Sequence, residues 1–276
     1  MKILVSADME GATGVTWPDD VLPGHRQWER CRTLFTGDVN AAVAGFFAGG
    51  ADEVLVNEAH WTMRNLLLEQ LDARAELLTG RHKALSMVEG VQHGDVDGVA
   101  FVGYHAAAGA EGVLAHTYLA NSVTGVWVDG ARASEGLLNA LVCAEFGVPV
   151  VLVTGDDRAC QDAKGYAPTA RTAAVKDYVS RYAAVCRAPA VTAAAIEAAA
   201  REAVALAVRH EPVVTAHEVA VEFDAEHLAG AATVVPGVER AGERRVAYTA
   251  PDMYEGIRCF KAVTTIVSAA VEEAYG

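Results

Sequence analysis

Cysteine is sparse and carries no pattern. The five residues Cys31, Cys143, Cys160, Cys186 and Cys259 are scattered and odd in number, with no C-x-x-C among them. That excludes a disulfide framework and a thiolate zinc site, and it predicts reduced, mostly buried thiols. Nowhere do about 18 uncharged apolar residues follow one another, which excludes a membrane-spanning helix. The N-terminal run Ile3-Leu4-Val5 meets Asp8 at once and is too short for a signal-peptide core, so a soluble, cytoplasmic protein without membrane association is expected. Positive charge is also short. The 22 Lys+Arg against 36 Asp+Glu give a formal net charge of −14, and the basic residues form no dense cluster. Nucleic acid is excluded as a partner, and anionic substrates are disfavoured unless a local basic pocket exists. H-E-x-x-H, G-x-S-x-G, G-x-x-x-x-G-K-[ST] and a G-x-G-x-x-G after a strand are all missing. Zincin proteases, α/β-hydrolases, P-loop enzymes and the usual dinucleotide binders are thereby removed.

What is present is a large apolar fraction, 52% of 276 residues, arranged in short β-branched runs alternating with helical periodicity. Strands are predicted at 2–6 (KILVS), 53–57 (EVLVN), 99–103 (VAFVG) and 148–154 (VPVVLVT). Helices are predicted over 29–48, ended by Gly49-Gly50, and over 63–71. Near-continuous apolar strands separated by helices indicate an α/β fold in three layers, a mostly parallel sheet with helices on both faces. A strand at 126–129 (VWVD) is read as part of a hairpin, and Ser134 caps a helix reaching about Phe146. Beyond Pro189 the pattern becomes α+β, with a helix over 192–209, strands at 219–223 and 245–249, and a final helix over 252–274. The division expected is 1–190, a catalytic metal-binding α/β domain, and 191–276, a smaller α+β domain serving oligomerisation.

In an open parallel sheet, functional groups collect at the carboxyl ends of the strands. The first predicted strand delivers Asp8 and Glu10 there, the second His60, the third His105, and the fourth Gly155-Asp156-Asp157-Arg158. Asp8 and Glu10, two apart, either cap a turn and meet solvent or pinch one cation. With His60 and His105 on neighbouring strands they make the N/O donor set favoured by zinc or another first-row metal. Glu135, in the first turn after Ser134, is read equally as a helix-dipole residue and as a further ligand. His116, eleven residues beyond His105 in a glycine-bearing loop, can return to the same crevice as general base or acid. Five ligands suit two metals bridged by a carboxylate. Arg158 either pairs an acidic neighbour or anchors a substrate carboxylate. The other histidines, His25, His82, His93, His210, His217 and His227, are read as surface residues.

Ser6-Ala7-Asp8-Met9-Glu10-Gly11, Val56-Asn57-Glu58-Ala59-His60, Ser86-Met87-Val88-Glu89-Gly90, Gly103-Tyr104-His105-Ala106, Val113-Leu114-Ala115-His116-Thr117, Ser134-Glu135-Gly136 with Asn139, and Gly155-Asp156-Asp157-Arg158 recur in order and spacing. This series resembles the zinc-dependent D-aminopeptidase family associated with dipeptide-transport operons, over essentially the whole chain. The resemblance implies two zinc ions per subunit held by Asp8, Glu10, His60, His105 and Glu135, with Asp8 bridging, and a catalytic His116. It implies a homo-oligomer as well, a decameric ring with inward-facing sites that admits short peptides. Glu58 stands where the family commonly has Asp, and Ala59 where it commonly has Ser. The expected activity is release of N-terminal residues, D-configured ones such as D-Ala, from di- and short peptides. The competing readings are an aminopeptidase on L-peptides using the same site, a metal-dependent phosphohydrolase, and a non-catalytic oligomeric binding protein.

Overall fold

The computed structural model describes residues 1–271. Along its first half run β1 (Lys2–Ala7), α1 (Arg26–Gly49), β2 (Glu53–Glu58), β3 (Glu76–Leu78), β4 (Gly98–Tyr104), β5 (Val123–Val128) and β6 (Ala131–Arg132). Then come α2 (Glu135–Glu145), β7 (Val150–Asp156), α3 (Asp157–Tyr166), β8 (Arg171–Ser180), β9 (Ala183–Cys186) and α4 (Pro189–Ala203). The chain continues through β10 (His217–Phe223), α5 (Glu226–Ala232), β11 (Glu239–Arg240), β12 (Arg245–Ala250) and α6 (Met253–Ser268).

The main sheet has the order β3-β2-β1-β4-β7-β8-β9, parallel throughout except for β9, which returns antiparallel to β8. The period-two alternation of β1 divides its side chains between two cores. Ile3, Val5 and Ala7 pack under α1 and α4, while Leu4 joins Phe101, Leu138 of α2 and Phe260 of α6 on the opposite face. Burying each such aliphatic side chain contributes roughly 1.5–3 kcal/mol. Gly50 closes α1 in the left-handed region, at φ 103°, where its N–H caps the carbonyls of Phe46 and Phe47. The predicted α/β fold, a mostly parallel sheet flanked by helices, is the fold observed.

A second, antiparallel sheet runs β11-β12-β10-β5-β6. It takes β5 and β6 from well before residue 190, while α4, just beyond that point, lies against α1 of the main sheet. The two sheets therefore interleave along the chain, and residue 190 does not divide them. The strands predicted at 2–6, 53–57, 99–103 and 148–154 are β1, β2, β4 and β7, and those at 126–129, 219–223 and 245–249 are β5, β10 and β12. The predicted helix over 192–209 stops at Ala203 and tightens into a 3₁₀ turn, Val204–Leu206. α6, capped by the Asp252 carboxylate accepting from Glu255 N–H, ends at Ser268, and residues 272–274 of the predicted helix lie outside the described residues.

The predicted helix over 63–71 is absent apart from a 3₁₀ turn, Leu68–Gln70. Here a buried carboxylate outcompetes the helix ladder: Glu58 accepts from the backbone N–H of Asn65 at 2.5 Å and of Leu66 at 3.0 Å. Trp61 and Met63, at φ 43° and 55°, take left-handed conformations incompatible with a helix.

The carboxyl edge is tied together by close backbone approach. Gly11 N–H donates to the Gly103 carbonyl at 2.8 Å, and Asp8 N–H to that of Val102 at 2.8 Å. Gly103 sits at φ +74°, and a Cβ there would lie 2.0 Å from the Asp8 carbonyl oxygen. Gly103→Ala is expected to destabilise the protein by about 2–5 kcal/mol, combining overpacking of about 1–3 and left-handed strain of about 1–2. Urea unfolding checks this, and a shift within about 0.5 kcal/mol, as for an ordinary surface substitution, counts against it.

Candidate metal centre

Asp8 extends β1, Glu10 stands on the turn that follows, His60 follows β2 and His105 follows β4. Glu135 is the first residue of α2, set by Ser134, whose hydroxyl accepts from Leu137 N–H at 3.1 Å. His116 comes from the loop between β4 and β5. All six side chains converge. His60 Nδ1 lies 3.0 Å from Glu10 Oε2 and 3.5 Å from Asp8 Oδ1. His105 Nε2 lies 3.3 Å from Asp8 Oδ2 and 3.4 Å from Glu135 Oε2. His116 Nε2 is 3.8 Å from Glu10 Oε1 and 4.0 Å from Glu135 Oε1, and its ring stacks on that of His105 with centroids 4.2 Å apart.

The far nitrogen of each imidazole is engaged. His60 Nε2 faces the Val21 carbonyl at 2.9 Å, His105 Nδ1 that of Ala106 at 3.0 Å, and His116 Nδ1 that of Leu114 at 2.9 Å. A carbonyl only accepts, so these nitrogens carry the proton, and in each neutral ring the nitrogen turned to the carboxylates presents a lone pair. Asp8 Oδ2, Glu10 Oε2 and His105 Nε2 are buried with no hydrogen-bond partner. Orphaned acceptors around one point are what a cation would satisfy. Donor atoms of Asp8, Glu10 and His105 lie within 4.8 Å of one another, as do those of His105, His116 and Glu135, so the residues fit a metal centre and His105 belongs to both groups. Nitrogen and carboxylate donors together suit zinc better than magnesium.

Electrostatics bind the cluster internally. Burial pushes His60 down, but the Glu10 charge and the Asp8 and Glu10 carboxylates, as acceptors for the protonated ring, hold it well above its ordinary value. His105 is likewise lowered by burial and raised well above it by Glu135 and Asp8. Burial pushes Glu10 and Glu135 up, and the facing imidazoles, His60 for Glu10 and His105 for Glu135, more than reverse this. A cation taking these lone pairs displaces the protons that otherwise sit there.

The supporting contacts are specific. Lys176 in β8, fully buried, donates to the carbonyls of Glu10, Ala12 and Val15 at 2.6, 2.9 and 2.6 Å, clamping the turn that carries Glu10. Asp156 accepts from Val113 N–H at 2.6 Å with one oxygen and caps α3 through Ala159 N–H at 2.7 Å with the other, anchoring the His116 loop. Glu135 Oε1 accepts from Tyr118 N–H at 2.7 Å. Leu114 and Tyr118 hold left-handed φ of 53° and 62°, local strain kept in place by these contacts. Asp156 is expected from the sequence at this edge without a role, whereas Lys176 and Tyr118 are not among the predicted site residues; a lone lysine inside an apolar strand is the available signal for Lys176.

Above the cluster opens a cleft of about 670 Å³, walled by Trp61, Lys83, Leu119, Tyr182 and Lys261 among others. Arg158 is elsewhere: it pairs with Glu111 at 3.4 Å and Asp157 at 3.6 Å, beside a smaller cavity. Of the histidines read as surface residues, His25, His82, His93, His210 and His227 are exposed, with His82 on the cleft rim, and His217 pairs with Asp129 at 2.7 Å. All five cysteines are free, three of them buried.

An α/β sheet that gathers three imidazoles and three carboxylates at its carboxyl edge, beneath an open cleft, defines a class of hydrolase built around a cation-binding centre. The chain belongs to the D-aminopeptidase family, whose model, Peptidase_M55, matches residues 1–262. It is thus a peptide-bond hydrolase. It is 35% identical over 271 residues to a D-aminopeptidase of Bacillus subtilis (strain 168), covering 96% of this chain and 97% of that one. Its structure superposes with a TM-score of 0.92, at 34% identity over 97% of this chain and 98% of the other, on the Zn-dependent D-aminopeptidase DppA from Bacillus subtilis, a self-compartmentalizing protease. No helix among the described residues is long and apolar enough to cross a membrane.

Proposed function

We propose that this chain is a binuclear zinc aminopeptidase that releases D-configured N-terminal residues, D-Ala among them, from di- and short peptides. Two zinc ions per subunit would be held by Asp8, Glu10, His60, His105 and Glu135. The observation that carries the reading is the convergence of buried carboxylate and imidazole atoms, of which Asp8 Oδ2, Glu10 Oε2 and His105 Nε2 have no hydrogen-bond partner. Zinc, when bound, supplies Lewis-acid polarisation of the scissile carbonyl and a lowered pKa for water. The chain's own residues do the rest. Asp8 turns Oδ1 toward His60 at 3.5 Å and Oδ2 toward His105 at 3.3 Å, and would be the carboxylate shared by the two ions. His116, its Nδ1–H fixed on the Leu114 carbonyl, turns Nε2 toward the cluster and serves as the proton carrier to the departing amine as the C–N bond breaks.

The protein would act in the cytoplasm as a homo-oligomer, a decameric ring, in keeping with the self-compartmentalizing relative. The imidazole share of the donor set disfavours a magnesium phosphohydrolase.

The test is amino-acid release from D-Ala-D-Ala and L-Ala-L-Ala by zinc-loaded protein, with and without chelator. Chelator-sensitive cleavage preferring the D-dipeptide by about tenfold or more is expected. Preference for the L-dipeptide would keep the site and reaction and overturn the stereochemistry. Cleavage of neither would overturn the peptidase reading.

A further inference from the structure

The cleft wall carries positive charge that no carboxylate among the described residues pairs with directly, although the formal net charge of the chain is −14. Lys83 is only 8% exposed, and its ammonium donates to Asn57 Oδ1 at 2.6 Å and to the Glu58 carbonyl at 2.5 Å. Lys261, reaching over from α6, donates to the Lys83 carbonyl and to that of Ala84 at 3.3 Å. Each ammonium has three N–H donors, so one on each side chain is left over. Neither forms an ion pair with a carboxylate among the described residues. The two charges oppose one another. Burial pushes Lys83 down to about 8, with Lys261 adding to the fall and Glu58 and Glu89 acting against it. Desolvating a cation beside a second cation costs folding free energy, and that cost is recovered when a ligand brings the counter-charge.

The same cleft has a floor of opposite character, Asp8, Glu10 and Glu135. A substrate spanning floor and wall therefore meets carboxylates and the metal centre at one end and two ammonium groups at the other. A short peptide has a free carboxylate at the end away from the residue being released. The geometry points to the Lys83 and Lys261 ammonium pair as the subsite that grips the C-terminal carboxylate of a short peptide, an inference that rests on the aminopeptidase reading above. Arg81 and Arg181 line the cleft too, but their guanidinium groups reach the Trp61 carbonyl at 3.2 Å and Asn121 Oδ1 at 3.0 Å, and both residues are exposed. They add long-range attraction, whereas the buried Lys83 and the half-buried Lys261 provide direct contact. The pair would select peptides whose carboxylate falls within reach of the floor, and would reject blocked ones.

The test compares kcat/KM for D-Ala-D-Ala and for its C-terminal amide, using zinc-loaded wild-type protein, Lys261→Gln and Lys83→Gln. Wild type is expected to favour the free acid by about tenfold or more, chiefly through KM, because a charge-assisted contact is lost with the amide. In Lys261→Gln the ratio of acid to amide should fall toward unity, and in Lys83→Gln likewise. If Lys83→Gln fails to fold, because that ammonium also ties Asn57 and Glu58 to the cleft wall, Lys261→Gln decides alone. Equal cleavage of acid and amide by wild type, or a ratio unmoved in Lys261→Gln, overturns the assignment while leaving the aminopeptidase standing. Failure of wild type to cleave either peptide overturns both.

Discussion

His116→Ala is expected to bind zinc at the wild-type stoichiometry and to lose about 10²- to 10⁴-fold in kcat, the range of a positioned proton carrier. Of the three imidazoles, His116 stands farthest from the carboxylates, at 3.8 and 4.0 Å, against 3.0 to 3.5 Å for His60 and His105. It is also the most open to the cleft, with 14% of its side chain exposed against 5% and 1%. A group that hands a proton to a departing amine has to reach the substrate, and of the three rings His116 is the one most exposed to the cleft. The loop that carries it is fixed by Asp156 at Val113 and by Leu114 N–H on the Arg181 carbonyl at 2.8 Å, so truncation of the ring leaves the backbone in place. Metal analysis paired with single-turnover kinetics checks the result. Because His116 Nε2 also falls within reach of a group formed with His105 and Glu135, loss of zinc together with turnover would make it a ligand instead.

The legible part of the molecule was the part governed by local pattern. β1, β2, β4 and β7 are β-branched runs buried on both faces, so they read plainly, and a parallel sheet forces whatever follows each strand onto one edge. That is why Asp8, His60 and His105 were readable as neighbours although more than forty residues separate each from the next. Glu135 was ambiguous because its position at the start of α2 satisfies the helix dipole whether or not a metal is present. Its role as acceptor from Tyr118 N–H depends on a loop conformation that no periodicity encodes. The 63–71 helix failed because the decisive interaction, Glu58 gripping the backbone of Asn65 and Leu66, is a tertiary capture of local structure. Through the same contact the Glu58 side chain is engaged in shaping the loop after His60, and Ala59 beside it lines the cleft. β8 was unread because Arg171, Lys176 and Asp177 interrupt its apolar pattern, and Lys176 is charged for a reason that appears only when the Glu10 turn folds back on it.

His105→Ala is expected to lower bound zinc by at least one equivalent per subunit and hydrolysis by about 10³-fold or more, on the scale of the several kcal/mol that a Lewis-acid metal supplies. The argument is one of shared geometry. His105 Nε2 faces Asp8 and Glu135 together, and His105 is the one residue common to the two donor groups, so its removal weakens both halves of a centre instead of one. It also strips Asp8 Oδ2 and Glu135 Oε2 of their nearest positive partner. Burial then pushes Glu135 toward its protonated, poorly ligating form, because the His105 charge is the largest influence holding it down. Thermal stability gives a second readout. Zinc that binds only the folded chain raises the melting temperature of wild type in proportion to the logarithm of its concentration, and His105→Ala should lose most of that dependence. A variant that keeps full zinc content, full activity and the wild-type response of melting temperature to zinc would show that the cluster at the sheet edge is not the metal centre.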